Sequence, residues 1–532
     1  MKRNNDIMKC MALSAILAMG MTPEASAYTF DANTRYSRLV IESRLNDFYG
    51  NKKLMGFDIF DAEGNLVKEH AGGTNLKFDY VPGLVAKAVI EAVRYYKDES
   101  WARPWFYSVE SYALNNQSGL SSSPTTLDDI NAAKMYCTLY DLTCAGAPYA
   151  GATMTVSGKK VDTNAKVAEA MQTAVKGITY YNKTYSIQAS TLADAAGGWF
   201  HKGTSYPYQM WCDGQYMGPA LLAQLENYGY TITGDASKDW DIITKQFTIT
   251  WKYLWDADKE LLYHAFSAVP TDSRSSCWAD SKTYHSQEYW GRAEGWYFLA
   301  LVDILEEMQK AGMTETANYA TLRGYLNSIA AGLAKRQDAE SGCWYQLLAH
   351  GADFSVSSYQ SVKKEASNYL ESSATAIFIA AYLKGQRLGL YDTDYSEVAK
   401  RAYKGFVENF IVDDGTGNGT VQVVRCCKSA GLGGSDKRDG SAAYYLLGSD
   451  VVPTSADPSS SDFYTEGKCF GAFILAATEY ERAFIDGQAS SVGHVDIPSR
   501  PSHDQAYNIV GQPVPSSAHG LVIVDGQKRM NR

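Results

Sequence analysis

The chain has 532 residues and a formal net charge of −10, with 45% apolar and 20% charged residues. This composition is typical of a globular protein and excludes a largely disordered chain. The negative charge, with no Lys/Arg-rich stretch to offset it, argues against nucleic acid as a partner.

The first 27 residues predict a secretory signal peptide. Lys2 and Arg3 open the chain, an apolar run covers residues 11–21, and Ala25-Ser-Ala27 has the small residues of a cleavage site. The apolar run is too short to span a bilayer. We therefore expect an exported protein without a membrane span, mature from about Tyr28. A periplasmic location is expected, with secretion or cell-surface display as the alternative.

Helical spacing of apolar residues dominates the stretch from 28 to 485. Apolar side chains recur at every third or fourth position in residues 81–95, 298–308 and 470–480. Weaker patterns of the same kind cover 129–141, 164–178, 216–228, 317–335, 374–388 and 396–410. Without a convincing sheet, this pattern predicts an all-α fold of stacked helical hairpins. Loops collected at one end of such a toroid would build a pocket from separate segments.

Carboxylates stand at the start of two of these helical stretches. Asp128 and Asp129 begin one, and Asp213 precedes another, directly after the aromatic segment 206–211. Acidic residues in these positions commonly cap a helix or interact with its dipole. Apolar surroundings also perturb a carboxyl pKa, which favours an acid or base role for Asp213. The residues alone leave both interpretations open.

The segment from Trp290 to Trp296 contains a candidate anion-binding pair. Arg292 and Trp296 are four residues apart, so a helix would place them on one face. A guanidinium beside an indole suits a carboxylate attached to a sugar ring, although the same pair also occurs as a cation–π contact within proteins. His264 and the neighbouring His201 and Lys202 are further candidates for contacts with an acidic sugar. Isolated histidines are more often structural.

Metal and phosphate motifs are absent from the sequence. The eight histidines are scattered without metal-ligand spacing, and no Cys-x-x-Cys occurs among the nine cysteines. The cysteines are also too sparse for a disulfide scaffold. The glycine-rich stretch from Gly431 to Gly434 lacks the Lys-Ser/Thr ending of a phosphate loop. We predict neither a metal nor an organic cofactor.

The composition changes near the C-terminus. Residues 486–505 are rich in Ser, Pro, Asp and Gly, which is typical of a linker. Residues 506–532 predict two short strands around a turn, a β-hairpin-like tag. This tag resembles the short C-terminal tags of exported Bacteroidetes proteins, some of which are read by an outer-membrane secretion system.

Seven segments, taken together and in order, resemble glycoside hydrolase family 105, the unsaturated rhamnogalacturonyl hydrolases. They are residues 79–83, 127–131, 206–214, 290–296, 341–346, 438–441 and 471–475. The resemblance covers residues 35–482. It implies an (α/α)6 barrel, a toroid of six helical hairpins, for residues 28–485.

The resemblance also implies the substrate and the reaction. Family members act on oligosaccharides, such as pectin fragments, whose non-reducing end is a Δ4,5-unsaturated uronic acid left by a lyase. The enzyme hydrates the C4=C5 vinyl ether, the resulting hemiketal opens, and the sugar leaves as a 5-keto uronate. Protonation of a vinyl ether requires a reasonably strong acid, so we expect a carboxylic acid kept partly neutral.

By the same resemblance, Asp213 is the general acid/base, protonating C4 and directing water to C5, and Asp129 is the second catalytic carboxylate. The substrate contacts that carry over are Trp211, His201, Lys202, His264, Arg292, Trp296, Trp290 and Asp128. No obligate protein partner is implied.

Three alternative functions stay open. One is an unsaturated glucuronyl hydrolase of the sister family 88, which acts on glycosaminoglycan fragments with the same barrel. Another is a polysaccharide lyase on a similar toroid, with Tyr or His as the base. The last is a non-catalytic protein that binds acidic sugars through Asp213 and Arg292.

Overall fold

The computed structural model describes residues 27–487 apart from 73–75, 98 and 117–118, together with four short C-terminal strands. The predicted signal peptide, up to its last residue, lies outside the described residues, as does nearly all of the predicted linker.

Helices are the predominant regular structure of the described chain. They are α1 (Tyr36–Arg44), α2 (Tyr80–Tyr96), α3 (Arg103–Asn115), α4 (Asp128–Asn131), α5 (Lys134–Thr143), α6 (Thr163–Thr184), α7 (Cys212–Met217), α8 (Pro219–Glu226), α9 (Ala236–Leu254), α10 (Gly291–Lys310), α11 (Ala317–Ala334), α12 (Ser372–Arg387), α13 (Ser396–Phe410), α14 (Ala442–Leu447) and α15 (Gly467–Tyr480).

These helices form an inner and an outer ring. The inner ring consists of α2, α5, the broken helix α7–α8, α10, α12 and α15; each packs on the next, and α15 closes the ring against α2. Helices α3, α6, α9, α11 and α13 each return outside the inner helix that precedes them, and α1 packs outside α15. The predicted (α/α)6 toroid of six hairpins is therefore confirmed.

The two rings differ in how their helices are buried. In the inner helix α12, every residue from Ser372 to Leu383 is buried, because neighbours surround the helix on all sides. The outer helix α13 buries only one face, which includes Tyr403, Phe406 and Phe410. A helix buried all round shows little polar alternation, whereas a one-sided helix shows a clear stripe.

Short strands, which the sequence did not predict, form hairpins in the loops. The paired strands are β1 (Phe48–Gly50) with β2 (Lys53–Met55), β3 (Ile59–Phe60) with β4 (Leu66–Lys68), β5 (Thr153–Val156) with β6 (Lys159–Asp162), β7 (Gln209–Trp211) with β10 (Ala265–Ser267), β8 (Trp255–Asp256) with β9 (Leu261–Leu262), β11 (Ser355–Val356) with β12 (Ala366–Ser367), and β13 (Ile411–Asp413) with β14 (Val421–Val423).

The C-terminal tag contains four strands rather than the predicted two. They are β15 (Ala506–Tyr507), β16 (Pro513–Val514), β17 (Gly520–Val524) and β18 (Gln527–Asn531), in the antiparallel order β16-β15-β17-β18. The longest pairing is the β17–β18 hairpin. Among the helices that the structure describes, none combines the length and the apolar character needed to cross a bilayer.

The pairing of β7 with β10 matters most for the site. It is antiparallel and places Trp211 opposite Ala265. The carbonyl of His264 then accepts a hydrogen bond of 3.0 Å from the backbone N–H of Cys212. Two segments about fifty residues apart are thereby fixed side by side at the start of α7.

Candidate active site

Asp213 lies in the first turn of α7, directly after β7, and the N-cap of this helix is Trp211 rather than Asp213. The side chain is 13% exposed, whereas Trp211 and Cys212 beside it are buried. Its Oδ2 atom is buried without a hydrogen bond of good geometry. Helix capping therefore does not explain this aspartate, and a partly exposed carboxylate among buried aromatic side chains fits a role in chemistry.

His264 is the nearest ionisable neighbour of Asp213. Its Nε2 atom lies 3.3 Å from Oδ2 of Asp213, an ion-pair distance without full hydrogen-bond alignment. The imidazole is completely buried, and its Nδ1 atom lies 2.7 Å from the hydroxyl of Tyr445. The structure therefore brings His264 to Asp213, as expected for a site residue.

The ionisation of Asp213 differs from the sequence-based expectation. Burial raises the pKa of Asp213, but the contact with His264 and the electrostatic influence of His264, His201 and Arg292 outweigh it, so the net pKa is lowered. The expectation of a partly neutral carboxylic acid is wrong for the free protein. Asp213 does have the predicted apolar neighbours. The groups that lower its pKa, His264, His201 and Arg292, stand elsewhere in the chain, so the local sequence does not reveal them.

Asp128 carries the second carboxylate of this cluster. Its Oδ2 atom forms an ion pair of 2.8 Å with Nζ of Lys202, and its Oδ1 atom lies 3.9 Å from Nε2 of His201. Burial raises the pKa of Asp128, but Lys202 and His201 lower it overall, while Asp213 acts in the opposite direction. The backbone sets this arrangement through the hydrogen bond from Leu127 N–H to the carbonyl of His201, 3.1 Å.

Among the described residues, Asp129, predicted as the second catalytic carboxylate, forms no ion pair with Lys202, His201 or His264. Its nearest polar partner is Thr126, whose hydroxyl oxygen accepts from the Asp129 N–H at 3.1 Å. Burial and the neighbouring Asp128 raise the pKa of Asp129, with Thr126 and Lys202 acting against this, and no influence of Asp213 is among the causes. The geometry favours Asp128 over Asp129 for this position.

Trp211 forms one wall of the site. Its indole stacks on His201, with ring centroids 4.6 Å apart, and on Tyr206, 5.1 Å apart. It is only 4% exposed, so it offers substrate an edge rather than an open face. Burial lowers the pKa of His201 to about 4, so this imidazole is neutral at neutral pH.

The glycine-rich stretch that is not a phosphate loop supports this wall. Nη2 of Arg438 donates to the hydroxyl of Tyr206 at 2.9 Å, and Nε donates to the carbonyl of Gly433 at 2.9 Å. A Cβ atom on Gly431 would lie 2.5 Å from Nη1 of Arg438. A side chain at Gly431 would therefore force the guanidinium of Arg438 to shift.

Arg292 lies in the first turn of α10 and is almost completely buried, with 2% exposure. Its Nη1 donates to the carbonyl of Cys427 and, at 3.3 Å, to the hydroxyl of Ser373. Its guanidinium lies 4.7 Å from the ring centroid of Trp290. Burial lowers the pKa of Arg292, but nearby thiols, Tyr80 and Glu371 raise it overall, so the charge is retained.

The predicted pairing of Arg292 with Trp296 is not observed. Trp296 is 1% exposed and stacks on Tyr216 in the core, with centroids 4.6 Å apart. The guanidinium turns toward the loop that carries Cys427, because that carbonyl satisfies its buried N–H groups. Trp290 takes the neighbouring place and also lies 4.8 Å from the ring of His264.

Sequence reasoning missed three residues that hold the site together. Tyr445 contacts His264, Tyr206 stacks on Trp211, and Glu371 binds the backbone N–H of Cys427 at 2.8 Å. Tyr206 stood in a segment already singled out. Nothing local distinguishes Tyr445 among 38 tyrosines, and nothing local indicates that Glu371 contacts a loop more than fifty residues away.

No group of three or more His, Cys, Asp or Glu side chains is arranged to hold a metal ion within the described part of the chain. The absence of a metal and of a cofactor stays a prediction.

Comparison with known proteins places this geometry in context. The model of Glycosyl Hydrolase Family 88 matches residues 62–484. A 24.9 kDa protein in the picA locus of Rhizobium radiobacter is 32% identical over 214 residues, which make up 39% of this chain and 78% of that protein.

Solved structures show the same similarity. A family 105 glycoside hydrolase from C. acetobutylicum is 30% identical, with a TM-score of 0.58, over 76% of this chain and 94% of that chain. A structure from Salmonella enterica, described as a possible member of the GH105 family, is 18% identical with a TM-score of 0.55, over 88% of this chain and 98% of that chain. At 18% identity, the Salmonella structure shows only that the fold is shared.

Proposed function

This chain belongs to the glycosyl hydrolases of family 88 and the structurally similar family 105, and we propose that it removes a Δ4,5-unsaturated uronic acid from the non-reducing end of lyase-generated oligosaccharides. The observation that carries the proposal is Asp213, a partly exposed carboxylate among buried aromatic side chains whose ion-pair neighbour is His264, at 3.3 Å. Retaining and inverting glycosidases need two carboxylates at a set separation across the anomeric carbon. Hydration of a vinyl ether needs one group that first gives and then takes a proton.

In the proposed reaction, Asp213 protonates C4 of the unsaturated uronate, and positive charge develops at C5 and the ring oxygen. The carboxylate that remains takes a proton from a water molecule as the water attacks C5. The resulting hemiketal opens as its bond from C5 to the ring oxygen breaks, which leaves a ketone at C5 and a hemiacetal at C1. This hemiacetal collapses to an aldehyde, and the leaving sugar departs with its glycosidic oxygen and a proton. Asp213 ends in the protonation state in which it began.

The lowered pKa of Asp213 in the free protein is compatible with this role if substrate binding raises it. Arg292 and the two histidines lower the pKa of Asp213. A bound uronate brings a negative charge that offsets this influence, and it displaces water from the carboxyl group. Both changes favour the neutral acid.

Charges around Asp213 provide the proposed recognition of the uronate. Lys202 is 28% exposed and Asp128 15% exposed, so their ion pair faces the solvent side of the site. Arg292 is buried and bonded to protein atoms, so we assign it a long-range attraction for the carboxylate rather than an open bidentate contact. The positive ends of α7 and α10 add to this attraction.

The finer assignments rest on the sequence. We propose a family 105 type of activity on unsaturated uronyl ends, of galacturonyl or glucuronyl type, in fragments such as those of pectin, with export to the periplasm after removal of residues 1–27. We also propose that residues 28–485 act as one catalytic domain, followed by a linker to 505 and a tag at 506–532.

The test follows the ultraviolet absorbance of the C4=C5 double bond. The protein is incubated separately with unsaturated galacturonyl-rhamnose and with unsaturated glycosaminoglycan disaccharides, and we expect faster loss of absorbance with the first. Asp213→Asn should lower kcat/KM by at least about 100-fold, because the acid/base is removed. The control Asp194→Asn, on an exposed residue paired with Lys252, should be normal.

Each outcome of the absorbance assay indicates a different function. A gain of absorbance on intact polymer indicates a lyase, and binding without any change indicates a non-catalytic protein. Near-normal turnover by a folded Asp213→Asn variant overturns the assignment of the acid/base.

A further inference from the structure

Tyr445 lies in the short helix α14 and is completely buried. Its hydroxyl lies 2.7 Å from Nδ1 of His264. This is the one hydrogen bond that the hydroxyl makes among the described residues. Nε2, at the other side of the same imidazole, faces Oδ2 of Asp213 at 3.3 Å. Tyr445 thus contacts Asp213 only through the histidine.

We propose that Tyr445 is a positioning residue that holds the imidazole of His264 with Nε2–H facing Asp213. The proposal rests on the proposed function insofar as Asp213 is the acid/base. The tautomer itself is a property of the free protein.

Because the buried hydroxyl of Tyr445 has no other hydrogen-bond partner among the described residues, we take it to donate its proton to the lone pair of Nδ1. Burial raises the pKa of Tyr445 well above its usual range, so the hydroxyl stays protonated. A neutral imidazole carries one N–H and one lone pair. When the hydroxyl donates to Nδ1, the imidazole proton must lie on Nε2, where it stabilises the carboxylate of Asp213. The nitrogen that is protonated is set by the bond that the other nitrogen makes.

Neighbouring aromatic rings restrict the orientation of the His264 imidazole. The rings of Trp290 and Trp211 lie 4.8 Å and 4.9 Å from the imidazole, so the ring cannot turn to another partner. The other ionisable groups around Asp213 and Tyr445 are Asp128, His201, Arg292, Cys212, Cys427, Glu288 and Tyr444. Among the described residues, none of these makes a hydrogen bond to Nδ1.

Loss of the hydroxyl has a definite consequence for Asp213. In Tyr445→Phe the proton of neutral His264 can move to Nδ1, and the lone pair of Nε2 then faces Asp213. A lone pair facing a carboxylate is repulsive, so the ionised form of Asp213 loses support. The protons of Asp213 and His264 then lie on the wrong atoms for protonating C4 and for deprotonating water.

The experiment compares Tyr445→Phe with Tyr444→Phe. Tyr444 is the adjacent buried tyrosine, and its hydroxyl accepts from the N–H of Gly431 at 2.9 Å, so the same atom is removed away from His264. We expect kcat of Tyr445→Phe to fall at least about 10-fold with KM changed by less than about twofold. Tyr444→Phe should keep both constants near those of the wild-type protein.

The second readout is the tautomer. Nitrogen-15 NMR of histidine-labelled protein, with His264→Gln to assign the signals, should show neutral His264 protonated at Nε2 in the wild type and in Tyr444→Phe. In Tyr445→Phe, protonated Nδ1 should appear. Wild-type His264 protonated at Nδ1, or an unchanged tautomer in Tyr445→Phe, overturns the proposal.

The outcomes remain distinguishable when a variant or the proposed function fails. If Tyr445→Phe does not fold, the wild-type tautomer alone decides. If the wild-type protein leaves the C4=C5 double bond intact, the proposed function fails, while the tautomer measurement needs no substrate and judges Tyr445 by itself.

Discussion

At the scale of single residues, two adjacent aspartates at the start of α4 show how neighbours decide a role. Asp128 forms an ion pair with Lys202 and lies near His201, and Asp213 influences its pKa. Asp129 meets Thr126 instead. A carboxylate that anchors a lysine at the edge of the site contributes to both the shape and the charge of the site.

We predict that Asp128→Asn lowers kcat/KM by about 100-fold, because it frees Lys202 and removes the negative charge closest to Asp213. Asp129→Asn should cost less than about fivefold. Steady-state kinetics on an unsaturated disaccharide, with circular dichroism to verify folding, measures both. The reverse ranking would restore Asp129 as the second carboxylate.

Single residues also show which parts of the site the sequence can predict. Asp213, His264 and Lys202 were found because charged or aromatic neighbours stand beside them in the chain. Trp296 was misplaced because helical spacing states which residues share a face, but not that this face turns toward Tyr216 in the core. A side chain such as Tyr445 acts through a residue 181 positions away, and no local pattern encodes that distance.

At the scale of elements, the start of α12 connects the helix ring to the loop that holds Arg292. Glu371, the N-cap of α12, is completely buried. Its carboxylate accepts from the N–H of Ala374 at 2.6 Å and from the N–H of Cys427 at 2.8 Å. The carbonyl of the same Cys427 accepts from Arg292. One carboxylate therefore fixes both the helix start and the position of the guanidinium.

Glu371→Gln should loosen this connection. An amide NH2 group cannot accept the bond that a carboxylate oxygen accepts, so one buried N–H loses its partner, at a cost of roughly 1–3 kcal/mol. We expect a lower melting temperature and a KM for the unsaturated substrate raised several-fold, with a smaller change in kcat. The lower melting temperature follows from the unpaired N–H, and the raised KM follows from a displaced Arg292.

Glu294 of α10 supplies the matched control for this change. It is also completely buried, and burial raises the pKa of Glu294 well above its usual range, which favours the uncharged carboxyl. Glu294→Gln puts an uncharged amide of the same shape in its place and should leave KM unchanged. Equal effects of the two substitutions would contradict a specific role for Glu371.

Elements also mark where sequence reasoning stops. Most helices of the two rings were predicted because apolar spacing is a local property of ten or more residues, but α1, α3 and α9 were not. The strands β7 and β10 have only three residues each and pair across about fifty residues, so their pairing depends on the closed barrel. The site geometry at Asp213 and His264 follows from that pairing.

At the scale of the whole molecule, the two ends of the barrel have different charge arrangements. At the site end, Asp213 and Arg292 stand in the first turns of inner helices. At the opposite end, the last turns are tied together by ion pairs. Nζ of Lys384 on α12 lies 2.6 Å from Asp303 and 2.8 Å from Glu306, both on α10.

The next pair of inner helices is joined in the same way. Nε and Nη2 of Arg387 on α12 donate to the two carboxylate oxygens of Glu479 on α15, each at 2.8 Å. Such a two-point contact fixes orientation as well as distance. We infer that these pairs stabilise the closed ring, whereas the site end is left free to bind an anion.

Lys384→Met tests this division of roles. It leaves the carboxylates of Asp303 and Glu306 without their shared cation, and breaking a buried pair in this way costs roughly 3–5 kcal/mol. The free energy of unfolding, measured with urea at neutral pH, should fall by about that amount, while the folded variant keeps its kcat/KM because the site is at the other end. Lys252→Met, which breaks an exposed pair with Asp194, should cost less than about 1 kcal/mol.

The pH dependence of the free energy of unfolding tests whether the charge of Lys384 is responsible for its stabilising effect. Burial raises the pKa of Glu306, but Lys310, Lys384 and Arg387 lower it well below the ordinary value of 4.5. A depressed folded-state pKa contributes stability above the unfolded value, and this contribution is lost as the pH falls through the folded value. The difference between the wild type and Lys384→Met should therefore shrink as the pH falls below 4.5. A difference that is constant with pH would mean that packing of the lysine stem, rather than its charge, holds the ring closed.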